Sequence, residues 1–202
     1  VDLTVNAVED TNKITMNLHY HRADNTYDDW HIWGWMTGAG GAWCEFTAGT
    51  DEVVYTREFE DARAVDAFNY IITKGEWADR EDFGDRLVDL SDILCGTVDF
   101  YVESGEKEGT RVLGEDVLTG AKVLSAAYDK TTKNIINVKT GLPIVGSIDG
   151  VFTVTANSEP VSVTKVTADE NVYAIEVEAD LSTVEEQSKS WVLNFDGHDY
   201  KI

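Results

Sequence analysis

The chain has 202 residues, a hydrophobic content of 43% and a formal net charge of −22. This length suits one large domain or two small ones. The negative charge disfavours nucleic acids and anionic lipid surfaces as partners, because both are bound by clustered lysine and arginine. No apolar run approaches the roughly 18 residues of a membrane span, so no membrane insertion is expected. The first residues lack a signal-peptide pattern, and we interpret the N-terminus as a processed or excised boundary.

Short β-strands are predicted throughout the first half of the chain. In ITMNLHYH (14–21), apolar and polar residues alternate with the period of a half-buried strand. Turn sequences such as DNT, TGAGG and KGE separate further strand-like segments. These segments are WHIWGWM, AWCEF, VVYTREF, AFNYIIT and TVDFYV. Six or seven short strands within about a hundred residues predict an antiparallel sandwich.

The second half shows Val- and Thr-rich strand patterns, and both prolines, Pro143 and Pro160, fall between them. The polar, glycine-containing segment between the halves predicts a linker. We therefore predict an all-β fold of two tandem immunoglobulin-like antiparallel β-sandwiches. The predicted boundaries are a first sandwich at 1–105, a linker at 106–120 and a second sandwich at 121–202.

The segment YDDWHIWGWM (27–36) holds three of the six tryptophans. Alternation along a strand places Trp30 on the core face and His31, Trp33 and Trp35 on the opposite face. Two adjacent indoles on an outer face favour a binding surface, and sugars suit it because their C–H faces stack on aromatic rings. Packing of both rings under a loop or against the second domain is the alternative.

Other residues of the first half are assigned structural places. Trp43 in AWCEF is predicted to lie in the core, and two buried thiols at Cys44 and Cys95 are favoured over a single bridge. His19 and His21 lie on the outer face of the first predicted strand, where they would flank the tryptophan pair if the two strands are neighbours. Their spacing also fits a metal site, but a third ligand is not evident, so no metal and no cofactor are predicted.

A loop after a predicted strand, ITKGEWADREDFGDRL (72–87), supplies a further tryptophan, Trp77. Trp77 would extend the aromatic surface. Lys74 and either Asp82 or Asp85 would bond to sugar hydroxyls, since polar groups commonly surround an aromatic floor.

The combination of HYHRADNTYDDWHIWGW with the later IITKGEWADREDFGDR resembles the starch-binding modules of carbohydrate-binding module family 41. These modules occur in N-terminal regions of type I pullulanases and related extracellular amylases. The resemblance covers roughly residues 5–105. It implies a compact β-sandwich that binds α-1,4-linked glucose chains in amylose, amylopectin, glycogen and pullulan.

Carried onto this sequence, the resemblance implies Trp33 and Trp35 as the stacking pair. It adds Trp77, Lys74 and Asp85 from the loop as further ligand-binding residues.

The chain departs from the family pattern at two positions. The family has glycine before its first motif tryptophan, where this chain has Asp29, and Gly34 is smaller than the usual aliphatic residue. The second half is similar to the β-sandwich between such modules and the catalytic barrel of pullulanases, which implies a spacer or docking domain.

The predicted function is therefore non-catalytic binding of starch, glycogen, pullulan or maltooligosaccharides by an extracellular, monomeric region that is covalently linked to a pullulanase or amylase catalytic domain. Catalysis by this chain is disfavoured because its sequence lacks a nucleophile elbow, a P-loop and an H-E-x-x-H motif. The alternative is a cell-surface protein-interaction or adhesion module without sugar binding.

Overall fold

A computed structural model describes residues 12–81, 83–185 and 190–202, with all their side chains except those of residues 183 and 185. The chain divides into two compact units, Val1–Thr119 and Gly120–Ile202. Both consist almost wholly of β-strands, so the predicted all-β fold is confirmed. Among the described residues, no helix is long and apolar enough to cross a membrane.

The described part of the first unit contains eleven strands and a short 3₁₀ helix. The helix spans Ala62–Ala64, and the strands are β1 (Ile14–His21), β2 (Trp30–Met36), β3 (Ala42–Cys44), β4 (Thr47–Ala48), β5 (Val53–Phe59), β6 (Ala67–Lys74), β7 (Asp79–Arg80), β8 (Arg86–Asp89), β9 (Ile93–Glu103), β10 (Thr110–Leu113) and β11 (Leu118–Thr119).

These strands form a sandwich of two sheets. One has six strands in the order β10-β9-β1-β5-β4, with β11 pairing with β9. The other has five strands in the order β3-β2-β6-β7, with β8 also pairing with β6. Buried side chains from both sheets form one hydrophobic core. Because β1 and β9 run parallel, the six-stranded sheet is mixed and not purely antiparallel as predicted.

The central strand β1 shows how the sequence produces this sandwich. Ile14, Met16, Leu18 and Tyr20 are fully buried, and the residues between them lie half-buried on the outer face. Burying an apolar side chain of this size stabilises the fold by roughly 1.5–3 kcal/mol. The strand pairs with β5 on one side and β9 on the other, so both of its edges are hydrogen-bonded.

Residues 106–120, predicted as a linker, contribute β10 and β11 to the first unit. The carboxylate of Asp116 accepts hydrogen bonds from the Thr97 N–H (3.1 Å) and hydroxyl (3.0 Å). Gly96 has a φ of +104°, and a Cβ there would lie 2.6 Å from the Asp116 carbonyl oxygen. Glycine at this position of β9 therefore lets the backbone of the predicted linker approach the strand closely.

The second unit is also built from two sheets that share one core. Its described part contains a 3₁₀ helix at Leu181–Glu185 and the strands β12 (Val123–Tyr128), β13 (Ile135–Thr140), β14 (Phe152–Ala156), β15 (Glu159–Val161), β16 (Val163–Asp169), β17 (Val172–Val177), β18 (Trp191–Phe195) and β19 (His198–Lys201). The sheet orders are β12-β13-β17-β16 and β15-β14-β18-β19.

Aromatic residues fill the core of the second unit. The Phe152 ring lies 5.5 Å from Tyr173 and 5.3 Å from Phe195, and Trp191 is buried beside them. Pro160 lies within β15 and not between strands as predicted. Since β15 is an edge strand, proline removes no ladder hydrogen bond on its free side.

Candidate functional site

Strand β2 presents its tryptophans to opposite faces of the five-stranded sheet. Trp30 is buried in the core, whereas Trp33 and Trp35 are half-buried on the outer face. The predicted alternation along this strand is confirmed. Gly34 points toward the core, where a Cβ would clash with the Phe68 ring. Packing in the core therefore requires the glycine that distinguishes this chain from the family pattern.

Three indoles from separate segments converge on the outer face, and we call Trp33, Trp43 and Trp77 the tryptophan cluster. The Trp33 ring centroid lies 5.0 Å from that of Trp43 and 5.9 Å from that of Trp77. The Trp43 and Trp77 rings are 5.4 Å apart. Trp43 is 40% exposed and Trp77 is 45% exposed. Together the rings form an apolar surface that solvent reaches.

The predicted core position of Trp43 is wrong. Strand β3 places Trp43 directly opposite Trp33 on β2, and the neighbouring Cys44 takes the buried position. Both Cys44 and Cys95 are buried free thiols, as the sequence favours. The sequence signal for the outer position of Trp43 is the charged Glu45, which shares its side of the strand.

Trp35 lies on the same face of the sheet but apart from the cluster. It pairs in register with Asn69 on β6, and among the described residues it makes no ring contact with the cluster. The structure thus brings Trp33 together with Trp43 and Trp77, and not with Trp35.

Trp77 reaches the cluster from a tight turn between β6 and β7. The Ala78 N–H donates to the Lys74 carbonyl (3.0 Å), and the Gly75 N–H donates to the Asp29 carbonyl (2.7 Å). Trp77 has a φ of +68°, a left-handed conformation that bulky residues rarely adopt. Such strain costs on the order of 1–3 kcal/mol and is concentrated at functional sites.

Glu81, which follows β7, anchors this turn to the core. Its carboxylate accepts hydrogen bonds from the Tyr20 hydroxyl (2.5 Å), the Ser104 hydroxyl (2.7 Å) and the Gly105 N–H (3.1 Å). Burial acts to raise the pKa of Glu81, but these bonds prevail and hold the pKa below its ordinary value. Burial and the bond to Glu81 raise the pKa of Tyr20 to about 12.

A cavity of about 310 Å³ adjoins the cluster. It is lined by His31, Trp43, Glu45, Gly75 and Glu76. His31 Nδ1 lies 2.8 Å from a Glu45 carboxylate oxygen, and the imidazole meets the Trp43 ring edge-on at 6.2 Å. A ligand rich in hydroxyl groups would find donors and acceptors beside an aromatic wall.

Gly41 fixes the position of the Trp33 ring from the side. A Cβ at Gly41 would clash with the Trp33 indole, whereas a Cβ at Gly40 would have no neighbour within 4 Å. The absence of a side chain at Gly41 therefore leaves room for the indole.

The loop residues predicted beside the tryptophans have different positions. Lys74 pairs in register with the buried Trp30, so alternation assigns it to the core-facing side at the end of β6. Asp85 lines a separate cavity at the edge of the sandwich. The prediction for Asp82 lies outside the described residues.

His19 and His21 belong to the six-stranded sheet and do not flank the tryptophans, because β1 and β2 are in different sheets. The two ring nitrogens of His19 lie 2.9 Å from Glu52 and 3.3 Å from Asp99, and the ring stacks on Tyr101 at 4.3 Å. Among the described residues, no group of three His, Cys, Asp or Glu side chains is placed to hold a metal ion.

Residues 14–110 match the model of one family, the bacterial pullanase-associated domain. The matched segment runs from β1 to the start of β10 and contains the whole tryptophan cluster and the turn that carries Trp77. No curated protein matches the sequence.

Among solved structures, the chain is similar to SpuA, described as a multi-modular glycogen-degrading pneumococcal virulence factor in a product complex. The TM-score is 0.33 and the identity 10%, over 93% of this chain and 26% of that one. It is also similar to TarS of S. aureus, with a TM-score of 0.28 and 11% identity over 86% of this chain and 34% of that one. The chain thus spans about a quarter and a third of the lengths of these two proteins.

Proposed function

We propose that the chain is a non-catalytic accessory region of an extracellular pullulanase- or amylase-type enzyme, and that its first unit binds α-glucans. The observation that carries this proposal is the tryptophan cluster, in which three indoles lie within 5.9 Å of one another and two are substantially exposed. The match of residues 14–110 to the bacterial pullanase-associated domain supports the accessory role. The sequence resemblance to carbohydrate-binding module family 41 supports α-glucan as the ligand.

The shape of the cluster favours a curved sugar chain. The three ring planes are inclined to one another by 53° to 71°, so the indoles form a faceted surface and not a flat strip. An α-1,4-linked glucan curves along its length, so successive glucose units present their C–H faces at changing angles. Each unit would stack on one ring while its hydroxyl groups stay free to form hydrogen bonds.

Polar groups beside the cluster would bind those hydroxyl groups. His31, Glu45 and Glu76 line the cavity next to Trp43 and would exchange hydrogen bonds with one glucose unit. Trp35, further along the outer face, would extend the surface for a longer chain. Contributions of Lys74 and Asp85 remain predictions from the family resemblance.

Weak binding of this kind is useful when it is tethered. A module that holds a few glucose units raises the effective concentration of a covalently linked catalytic domain at a branched or insoluble substrate. The high negative charge is compatible with this role, because a neutral polysaccharide neither gains nor loses Coulomb energy in that field.

Affinity electrophoresis in gels containing amylopectin or pullulan tests the proposal. The wild type should be retarded, and Trp77→Gly should be retarded less because it lacks one ring of the cluster. Glycine also relieves the left-handed strain, so Trp77→Gly should be more stable than Trp77→Ala by about 1 kcal/mol. Tyr101→Ala removes an exposed aromatic ring from the six-stranded sheet and should remain retarded.

Normal mobility of the wild type would contradict glucan binding and favour a protein-interaction or adhesion module. Release of reducing ends from either polysaccharide would contradict the non-catalytic role.

A further inference from the structure

A second cavity opens at the edge of the sandwich between the edge strands β8 and β10. Its volume is about 540 Å³, and none of its lining residues belongs to the tryptophan cluster. The inner wall includes Tyr70, Arg86 and Phe100, and the rim includes Lys107 and Glu108. Tyr70 and Arg86 are directly opposite each other on β6 and β8.

The guanidinium of Arg86 is buried, and it has a long ion pair with Glu81 but no hydrogen-bond acceptor at its terminal nitrogens. Arg86 is 5% exposed, and neither of its terminal nitrogens has a hydrogen-bond partner among the described residues. The Glu81 oxygen Oε2 lies 3.8 Å from Nη2, beyond hydrogen-bond distance, and accepts a bond from the Gly105 N–H. The Phe83 ring covers one side at 5.1 Å. A buried cation in this state strongly favours an anionic acceptor.

A second unpartnered donor lies beside it. Tyr70 is fully buried, and its hydroxyl has no hydrogen-bond partner among the described residues. Burial raises the pKa of Tyr70 to about 12 despite the neighbouring guanidinium, so the phenol keeps its proton and remains a donor. Phe100 packs edge-on against Tyr70 at 6.4 Å and supplies an apolar wall.

Gly109 leaves room beside that wall. A Cβ at this position would clash with the Phe100 ring. Arg111, also on the lining, is held by two hydrogen bonds to Asp92 (2.7 and 3.0 Å) and by one to the Asp89 carbonyl (2.8 Å). Its charge is therefore balanced, which leaves Arg86 as the cation of the inner wall without a hydrogen-bonded acceptor.

We propose that this cavity is a separate binding site for a small polyhydroxylated acid, such as a sugar acid or a sugar phosphate. The planar guanidinium of Arg86 matches the two oxygens of a carboxylate or phosphate, and the Tyr70 hydroxyl donates a further bond. Lys107 adds positive charge at the rim, while the rim carboxylates Asp85 and Glu108 accept bonds from the hydroxyl groups of the ligand. The site is independent of glucan binding at the tryptophan cluster.

Isothermal titration calorimetry with glucuronate, glucose 6-phosphate and neutral glucose tests this proposal. At least one of the two acids should bind, and glucose should bind at least about tenfold more weakly because it lacks the charge that a buried guanidinium attracts. If only one of the two acids binds, the result shows whether the site recognises a carboxylate or a phosphate. Equal binding of glucose and the acids, or no binding of either acid, would overturn the proposal.

Variants locate the binding in the cavity. Arg86→Met should abolish acid binding, and the exposed Lys107→Glu should weaken it several-fold without touching the core. Glu108→Gln should strengthen it, because the amide oxygen still accepts a bond from a ligand hydroxyl group while the negative charge that repels the acid is removed. Trp77→Gly should leave it unchanged. If Arg86→Met does not fold, the variants Lys107→Glu and Glu108→Gln test the location of the site instead. Unchanged affinity for the acid in both variants would contradict binding in this cavity.

Discussion

The two outer faces of the first unit differ in whether their side chains contact one another through hydrogen bonds or expose aromatic rings to solvent. On the six-stranded sheet, polar neighbours engage one another: Asn17 donates to Asp99 (2.9 Å) and accepts from Thr56 (2.8 Å). His19 lies between two carboxylates and stacks on Tyr101. On this face the named polar groups are hydrogen-bonded to one another, although a cavity of about 410 Å³ opens beside His19 and Tyr101.

The outer face of the five-stranded sheet exposes the rings of Trp43 and Trp77 to solvent. Exposure alone does not separate the faces, since Tyr101 is 42% exposed and Trp77 is 45% exposed. The difference is that Trp77 is held in a strained conformation against two other indoles. Clustering and strain, and not the presence of an exposed ring or a His-x-His pair, distinguish the proposed binding face from the other face.

Removing two rings from the cluster should have the largest effect. The double variant Trp33→Ala/Trp43→Ala should lower affinity for maltoheptaose at least about tenfold, since each stacked ring contributes on the order of 1 kcal/mol beyond area burial. Calorimetry measures this loss. The matched variant His19→Ala/Tyr101→Ala on the other face should keep wild-type affinity, and an equal loss there would erase the difference between the faces.

Glu81→Gln should destabilise the fold by about 1–3 kcal/mol, because it weakens the acceptor of one buried and two partly buried hydrogen bonds. Urea unfolding measures the change, with the exposed Glu106→Gln as a control. The pKa of Glu81 lies below its ordinary value of 4.5 in the folded protein. Its contribution is therefore full above about pH 4.5 and is lost as the pH falls through the folded-state pKa. If the free energy of unfolding of the wild type and that of Glu81→Gln fall equally as the pH is lowered, Glu81 is not an anchor.

Gly41→Ala should weaken maltoheptaose binding several-fold, because the new methyl group displaces the Trp33 indole. Stability should change by less than about 1 kcal/mol, since the position lies outside the core. Gly40→Ala, where the methyl group meets nothing within 4 Å, is the control for the general effect of alanine in this loop. Equal affinity of Gly41→Ala and Gly40→Ala for maltoheptaose would show that binding does not depend on the position of the Trp33 ring.

Asp29→Gly should have the smallest effect, a stabilisation of up to about 1 kcal/mol. Asp29 has a φ of +63°, which glycine adopts without strain, and its carbonyl holds the Gly75 N–H of the Trp77 turn. The backbone conformation at this position therefore favours glycine. Thermal unfolding compares it with Asp28→Gly, which should not stabilise. A destabilised Asp29→Gly would show that the aspartate side chain has a role of its own.

Local alternation predicted much of the fold and part of the site. It placed Trp30 inside and Trp33 outside, because one strand fixes the relation between its own neighbouring side chains. It did not place Trp43, because strand β3 is too short for alternation to show which of its sides is buried. The pairing of β3 with β2 shows this. The acidic Glu45 beside it was the available signal.

Long-range pairing decided the rest of the site. Which sheet His19 joins depends on the pairing of β1 with β9, more than 75 residues further along the chain, and no local pattern encodes that choice. Likewise, Asp85 lies next to Arg86, which faces Tyr70 on β6, so the register of β8 directs this acid to the edge cavity. The positive φ of Trp77 occurs in a turn whose Gly75 N–H bonds to the Asp29 carbonyl, a contact between distant parts of the chain.

A crystal structure of the protein with maltoheptaose tests the central claim most directly. We expect glucose units stacked on Trp33, Trp43 and Trp77, with hydroxyl groups bonded in the cavity lined by His31 and Glu45. Two results would contradict the central claim. One is glucose units bound on the six-stranded sheet around Tyr101, and the other is a tryptophan cluster without bound sugar at a saturating concentration of maltoheptaose.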